Sequence, residues 1–281
     1  MGGLKADAIV LGSEGQLGAD LVRLLGPSAG VSHREVSVTD RSAVDALLAA
    51  RRPSVVFNCA AYNAVDRAES EPAAARSVNT DGAFHVAAAC ARHGARLVHF
   101  STNFVFDGES ADPYVETDRT GPLSVYATSK LDGERRVLDA HPSAVVIRTA
   151  ALFGGLRGQS FPERILARAS QMGSLKVVAD QTVNPTYTAD LAEAARALAA
   201  GTLSGVVHLV SGECCGWDEL ARAVLREFGS ATVVLPVSTA EVDSAARRPR
   251  NGCLSSARVP PLRSWREGLR DWARRARAAT A

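Results

Sequence analysis

"ADAIVLGSEGQLGADLVRLLG", residues 6–26, decides how the rest of the chain is read. Its first half is a short apolar run that stops at Gly12, and its second half sets Leu17, Leu21 and Leu25 at helical spacing. That is strand, tight turn, helix. Gly12, Gly15 and Gly18 fall in the turn as GxxGxxG. Glycine at such places permits the turn, lets the backbone approach a pyrophosphate and lets the helix pack close to the sheet, while the helix N-terminus turns its partial positive charge on the phosphates.

Working outward, the same alternation recurs. "PSVVFNCAA" (53–61), "ARLVHFST" (95–102) and "SAVVIRTAALFG" (143–154) read as buried strands, and "SAVDALLAARR" (42–52), "DGAFHVAAACARHG" (81–94) and "LSVYATSKLDGERRVLDAH" (123–141) as helices. "GVSHREVSV" (30–38), in whole or part, supplies a second strand. Strands alternating with helices imply an α/β fold, a Rossmann-type doubly wound parallel sheet. After Gly154 the pattern loosens into helices at 160–173, 188–201 and 216–229 and strands at 175–180 and 205–212. The expected division is a dinucleotide-binding domain over residues 1–150 and a smaller substrate lobe over 151–281, with chain crossings between them.

Composition narrows the function classes. The 281 residues carry 32 Lys and Arg against 30 Asp and Glu, a net charge of +2, so no global field points to nucleic acid or to a membrane surface. The arginines of "RDWARRARA" (270–278) read as the solvated face of a terminal helix. Five cysteines, at 59, 90, 214, 215 and 253, form no CxxC pair and leave an odd one over, which argues against a disulfide framework or a zinc site. A reducing cytoplasm fits that usage. No leader peptide and no apolar run near the roughly 18 residues of a membrane span is apparent.

The chemistry clusters where strands end. Ala60 and Ala61, after the strand at 53–58, leave room for a flat cofactor. "HFSTNFVFDG" (99–108) closes another strand with Ser101, Thr102 and Asn103, whose polar groups can meet a substrate oxygen. In "SVYATSK" (124–130), Tyr126 and Lys130 stand one helical turn apart on one face. A nearby ammonium favours phenolate and would pull the tyrosine pKa down from about 10 toward neutrality. Such a phenol can protonate a carbonyl oxygen that gathers charge as it accepts hydride.

On "GSEGQLG", "NCAAYNAVDRAESEP", "VNTDG", "STNFVFDG", "PYVETDRTGPLSVYATSKLDGE", "DQTVNPTYTADLA" and "ARRPRNGCL", in that order along almost the whole chain, the sequence resembles the dTDP-4-dehydrorhamnose reductase family of the extended short-chain dehydrogenase/reductase superfamily. The resemblance implies NAD(P)H-dependent reduction of a 4-keto group on a nucleotide-activated deoxysugar. Tyr126 would donate the proton, Lys130 would hold the nicotinamide ribose and tune the tyrosine, and Thr102 would bond the keto oxygen. Gly15, Gln16 and Leu17 would line the pyrophosphate; Ala60, Ala61 and Tyr62 would lie along the adenosine and ribose. Asn79 matches an asparagine that supports the active site and a proton relay. Asn184, in a turn feeding a helix, is expected on the substrate side with Thr102, Asn103 and Ala151.

Departures from the family pattern bear on specificity. Asn103 and Phe104 stand where S-T-D-Y-V-F has an acid and a phenol, and Ala151 stands where a tryptophan often packs on the substrate. Arg34, in "SHRE", favours the 2′-phosphate of NADPH, with NADH as the second choice. A homodimer is compatible with the sequence, and no metal is called for. Two rival readings share the fold: a nucleotide-sugar epimerase, and a non-catalytic NADP-binding regulatory subunit.

Overall fold

The structure, a computed structural model, describes residues 8–155 and 160–279. The first two residues of the expected opening strand, Ala6 and Asp7, lie outside that range. β1 (Ala8–Leu11) feeds α1 (Gln16–Leu25), β2 (Gly30–Val31) feeds α2 (Arg41–Arg51), and β3 (Val55–Asn58) leads to α3 (Val65–Ala68) and α4 (Pro72–Arg76). A π-helical turn over Ser77–Gly82 runs into α5 (Ala83–His93), followed by β4 (Arg96–Thr102), α6 (Val125–Ala140) and β5 (Val145–Thr149). Beyond come β6 (Leu152–Phe153), α7 (Phe161–Ala169), β7 (Ser174–Val178), β8 (Thr182–Val183), β9 (Thr186–Tyr187) and α8 (Thr188–Ala200). The chain ends through β10 (Gly205–His208), β11 (Cys215–Gly216), α9 (Trp217–Glu227), β12 (Val233–Val237), β13 (Asn251–Gly252) and α10 (Trp265–Ala278).

Six of these strands form one parallel sheet in the order β2-β1-β3-β4-β5-β10. Alternation along each strand sends side chains to two cores. Ile9, Val56 and Leu97 face α2, α5 and α6, whereas Val10, Phe57 and Val98 face α1 and α8. Burial on both faces is why these strands read as continuous apolar runs. The order reverses between β1 and β3, so the loops leaving those strands part there and open a crevice at their carboxyl ends.

Residues after 150 both complete this sheet, through β10, and build a lobe with its own core of Phe153, Leu175, Leu220, Trp265 and Trp272. α10 is more than a solvated helix: Trp265, Leu269 and Trp272 are buried on one face. Arg275, on the same helix, reaches back to the buried Asp20 of α1 at 3.1 Å. The expected strand over 143–154 breaks after Thr149, because Ala151 adopts φ of 41°, a left-handed conformation that costs an alanine about 1–2 kcal/mol. The expectation of no disulfide needs a correction for one pair. Cys214 and Cys253, 39 residues apart, are bonded across the small sheet β11-β8-β13, a pairing that no sequence spacing announces. No helix among the described residues is long and apolar enough to cross a membrane.

Candidate active site

The glycine turn and the loop after β3 meet at the crevice. A Cβ on Gly12 would lie 2.8 Å from the Ala60 nitrogen, and one on Gly18 would lie 2.2 Å from the Gly12 oxygen. Both glycines therefore serve packing, one letting the loops touch and the other letting α1 start against the turn, and Gly18 borders the cavity as well. Gly15 differs. Its φ of −72° suits any residue, and its Cβ would meet only the Gly12 oxygen, at 3.3 Å. The protein crowds position 15 far less than 12 or 18, and the bare backbone there leaves room for close approach of a ligand. Gly15, Gln16 and Leu17 line a cavity of about 560 Å³. Gly12 and Ala60 are not in its wall, and Ala61 is.

Tyr126 and Lys130 of α6 form the opposite wall with Thr102 of β4. Ser124 caps this helix by accepting the Ala127 N–H, which fixes where its first turn begins. Both members of the pair are buried, Tyr126 at 8% and Lys130 at 2% exposure. The Lys130 ammonium donates to the Phe100 carbonyl at 2.6 Å. The Tyr126 hydroxyl stands 3.5 Å from Asn63 Oδ1, and its ring packs edge-on against Phe104. Burial pushes the phenol up to about 12, with the Thr102 hydroxyl pulling the other way. Burial also pulls Lys130 down to about 8, against the Glu134 carboxylate one turn along, which favours its charge. The expectation that Lys130 draws the tyrosine toward neutrality is thus not met in this structure, where loss of water dominates and the opposing pull comes from Thr102. The phenol stays protonated through neutral pH, the form a proton donor needs.

A buried frame holds this wall. Glu134 accepts from Arg148 at 2.7 Å and from the Ser101 hydroxyl, locking α6 to β4 and β5. A Cβ on Gly133 would sit 2.1 Å from the Asn79 oxygen, so glycine there lets α6 close on the π-helical turn. Asn79 accepts the Tyr62 N–H at 2.8 Å and donates to Ser129 Oγ at 3.0 Å. Its carboxamide is spent on holding the loop after β3, which supports the site; the relay role has no counterpart in these contacts.

Several expected site residues sit elsewhere. Tyr62 turns away from the cavity: its hydroxyl donates to Glu71 at 2.5 Å and accepts from Arg67 at 3.0 Å. Asn184 is buried and donates to the Ser211 carbonyl while accepting the Leu254 N–H, which makes it a staple of the lobe rather than a substrate contact. Arg34 is exposed in the loop after β2, outside the cavity wall. Asn103 and Ala151 do line the cavity, although the Asn103 amide already donates to the Gly252 carbonyl at 2.9 Å. Asn63, at the end of the loop after β3, also lines the wall, and sequence reasoning missed Phe161, Arg164, Val183 and Trp217, which line it too. A second cavity of about 530 Å³ adjoins it, bordered by Arg168, Lys176 and an Arg248 paired with Asp66 at 2.7 Å.

A doubly wound sheet, a glycine turn at its crevice and a helical Tyr–Lys pair facing that turn place the chain in the short-chain dehydrogenase/reductase class. It belongs to the RmlD substrate binding domain family, whose sequence model matches residues 7–278. It is 42% identical to a dTDP-4-dehydrorhamnose reductase of Mycobacterium tuberculosis, covering 96% of this chain and 93% of that one. It is also 39% identical to a probable dTDP-4,6-dihydroxy-2-methyloxan-3-one 4-ketoreductase of Streptomyces antibioticus, over 94% and 93% of the two chains. A solved dTDP-4-dehydrorhamnose reductase from Bacillus anthracis, in complex with NADP, superposes with a TM-score of 0.91 at 32% identity, covering 95% of this chain and 98% of that chain.

Proposed function

We propose that the chain is an NADPH-dependent 4-ketoreductase of a dTDP-linked deoxysugar. The observation that carries this reading is the juxtaposition, in one cavity, of an open glycine turn at a helix N-terminus with the buried side chains of Tyr126 and Lys130.

The protein's own groups fit the cofactor. Gly15 leaves space beside the first N–H groups of α1, where phosphate oxygens are accepted. The loop after β2 bears on the choice of dinucleotide. Glu35 is the acid that could hold an adenosine 2′-hydroxyl, but its carboxylate accepts the Ser32 N–H at 2.7 Å, and that bond lowers its pKa. Arg34 beside it makes no ion pair among the described residues, and its guanidinium suits a 2′-phosphate. NADPH, when bound, supplies the reducing equivalent. Tyr126 gives its proton to the keto oxygen, Thr102 steadies that oxygen with its hydroxyl, and Lys130 offsets the charge left on the phenolate. Apolar side chains such as Leu17 and Phe104 keep water from the reacting carbon.

The test is NADPH oxidation with a panel of 4-keto nucleotide sugars, followed by absorbance. Turnover that needs both NADPH and a 4-keto sugar supports the assignment. Tight NADPH binding with no turnover on any of them would return the chain to the non-catalytic class.

A further inference from the structure

Resting on that reading, we propose that Trp217, paired with Phe161, is the specificity-determining contact for the hexose ring of the nucleotide sugar. The two cavities join at a neck whose residues border both: Asn103, Phe104, Phe161, Arg164, Val183 and Trp217. A hexose with its keto carbon at Tyr126 and Thr102 meets this neck as its linked nucleotide passes toward the second cavity. The Phe161 and Trp217 rings lie 4.7 Å apart, tilted by 50°. Each is the first residue of a helix, Phe161 of α7 and Trp217 of α9, so backbone geometry aims both.

The residues beside Thr102 on the β5 side offer little apolar surface, and the largest apolar groups of the wall are Phe100, Phe104, Phe161 and Trp217. Ala151 presents only a methyl group, on a backbone held at φ of 41°, and Thr149 and Thr102 present hydroxyls. The indole is the largest aromatic ring in the wall of the cavity that the Tyr–Lys pair also lines, while Phe104 packs directly on Tyr126. Aromatic faces of this kind take the C–H face of a sugar ring, while a few polar groups fix its orientation. Arg164 lies one helical turn from Phe161, lines both cavities and forms no ion pair among the described residues, so a phosphate leaving the hexose meets a cation there.

Of the three tryptophans, Trp265 and Trp272 are each 1% exposed within the lobe core, and only Trp217 is part-exposed at a cavity. Intrinsic fluorescence therefore reports on this contact in the unmodified protein. Titration with dTDP-glucose, which has no keto group to reduce, is expected to shift Trp emission saturably and more strongly than dTDP alone. In steady-state assays, Trp217→Ala is expected to raise KM for the 4-keto sugar about tenfold, Trp217→Phe by less, and neither to change KM for NADPH. If Trp217→Ala fails to fold, the emission titration and Trp217→Phe decide. Wild-type emission unmoved by saturating dTDP-glucose, in a chain that turns over a 4-keto sugar, would overturn the contact and leave the reaction standing. A saturable emission change in a chain that reduces no such sugar would overturn the reaction and keep the contact.

Discussion

Replacing Gly15 by valine separates a ligand cradle from a packing requirement. Gly15 sits at φ of −72° and ψ of 170°, a conformation valine adopts freely, and the new Cβ meets only the Gly12 oxygen at 3.3 Å. The fold should lose no more than the ~1 kcal/mol of a poorer helix cap. The valine methyls instead enter the space beside the first N–H groups of α1. Displacing one charge-assisted hydrogen bond to a phosphate costs about 1.5–3 kcal/mol, so NADPH affinity should fall roughly ten- to hundredfold. Gly12→Ala is the packing control, because Gly12 lies outside the cavity wall and its Cβ would lie 2.8 Å from the Ala60 backbone nitrogen. That variant should lose about 1–3 kcal/mol of stability through overpacking. The assay is NADPH fluorescence titration beside thermal unfolding of both variants. Wild-type NADPH affinity in a folded Gly15→Val protein would refute the cradle.

Other consequences are as direct. Lys130 releases its proton near pH 8 in the folded chain against 10.5 ordinarily, so the unfolded state binds more protons between those values and stability should rise with pH across that window. Denaturant titrations at several pH values check this, and Lys130→Met should flatten the rise; kcat/KM for reduction should fall above about pH 8 as the ammonium is lost. Asn184→Ala strands the Leu254 N–H and should cost about 1–3 kcal/mol of stability with NADPH affinity unchanged, read by melting and titration together. Thiol counting on the denatured chain should find three free cysteines before reduction, Cys59, Cys90 and Cys215, and five after it.

The sheet was legible because its central strands are buried on both faces and so leave uninterrupted apolar runs such as Val55 to Phe57. β2, two residues long, carries too little pattern to be bounded from sequence. The Tyr126–Lys130 pair was legible because helical spacing alone puts both on one face. Their pKa order was not, since it depends on burial that only tertiary packing creates. The three glycines looked equivalent in the motif, yet Gly12 only packs, Gly18 both packs and borders the cavity, and Gly15 borders it with the least crowding from the protein. The partners of Tyr62 and Asn184 were not legible, because a polar residue near a cleft can turn either way, and here Glu71 and the Ser211 carbonyl bond them. Trp217 gave no signal: an aromatic at the start of an amphipathic helix looks like core until the lobe brings it to the cavity.

The central claim is that Tyr126 is the proton donor of a keto reduction, and Tyr126→Phe tests it most directly. The substitution removes one hydroxyl, keeps the ring that packs on Phe104, and leaves the glycine turn untouched. With NADPH and a reducible 4-keto nucleotide sugar, turnover should drop by roughly 10²–10⁴-fold, the usual cost of losing a general acid, while NADPH affinity holds. A Tyr126→Phe protein with wild-type turnover would contradict the account.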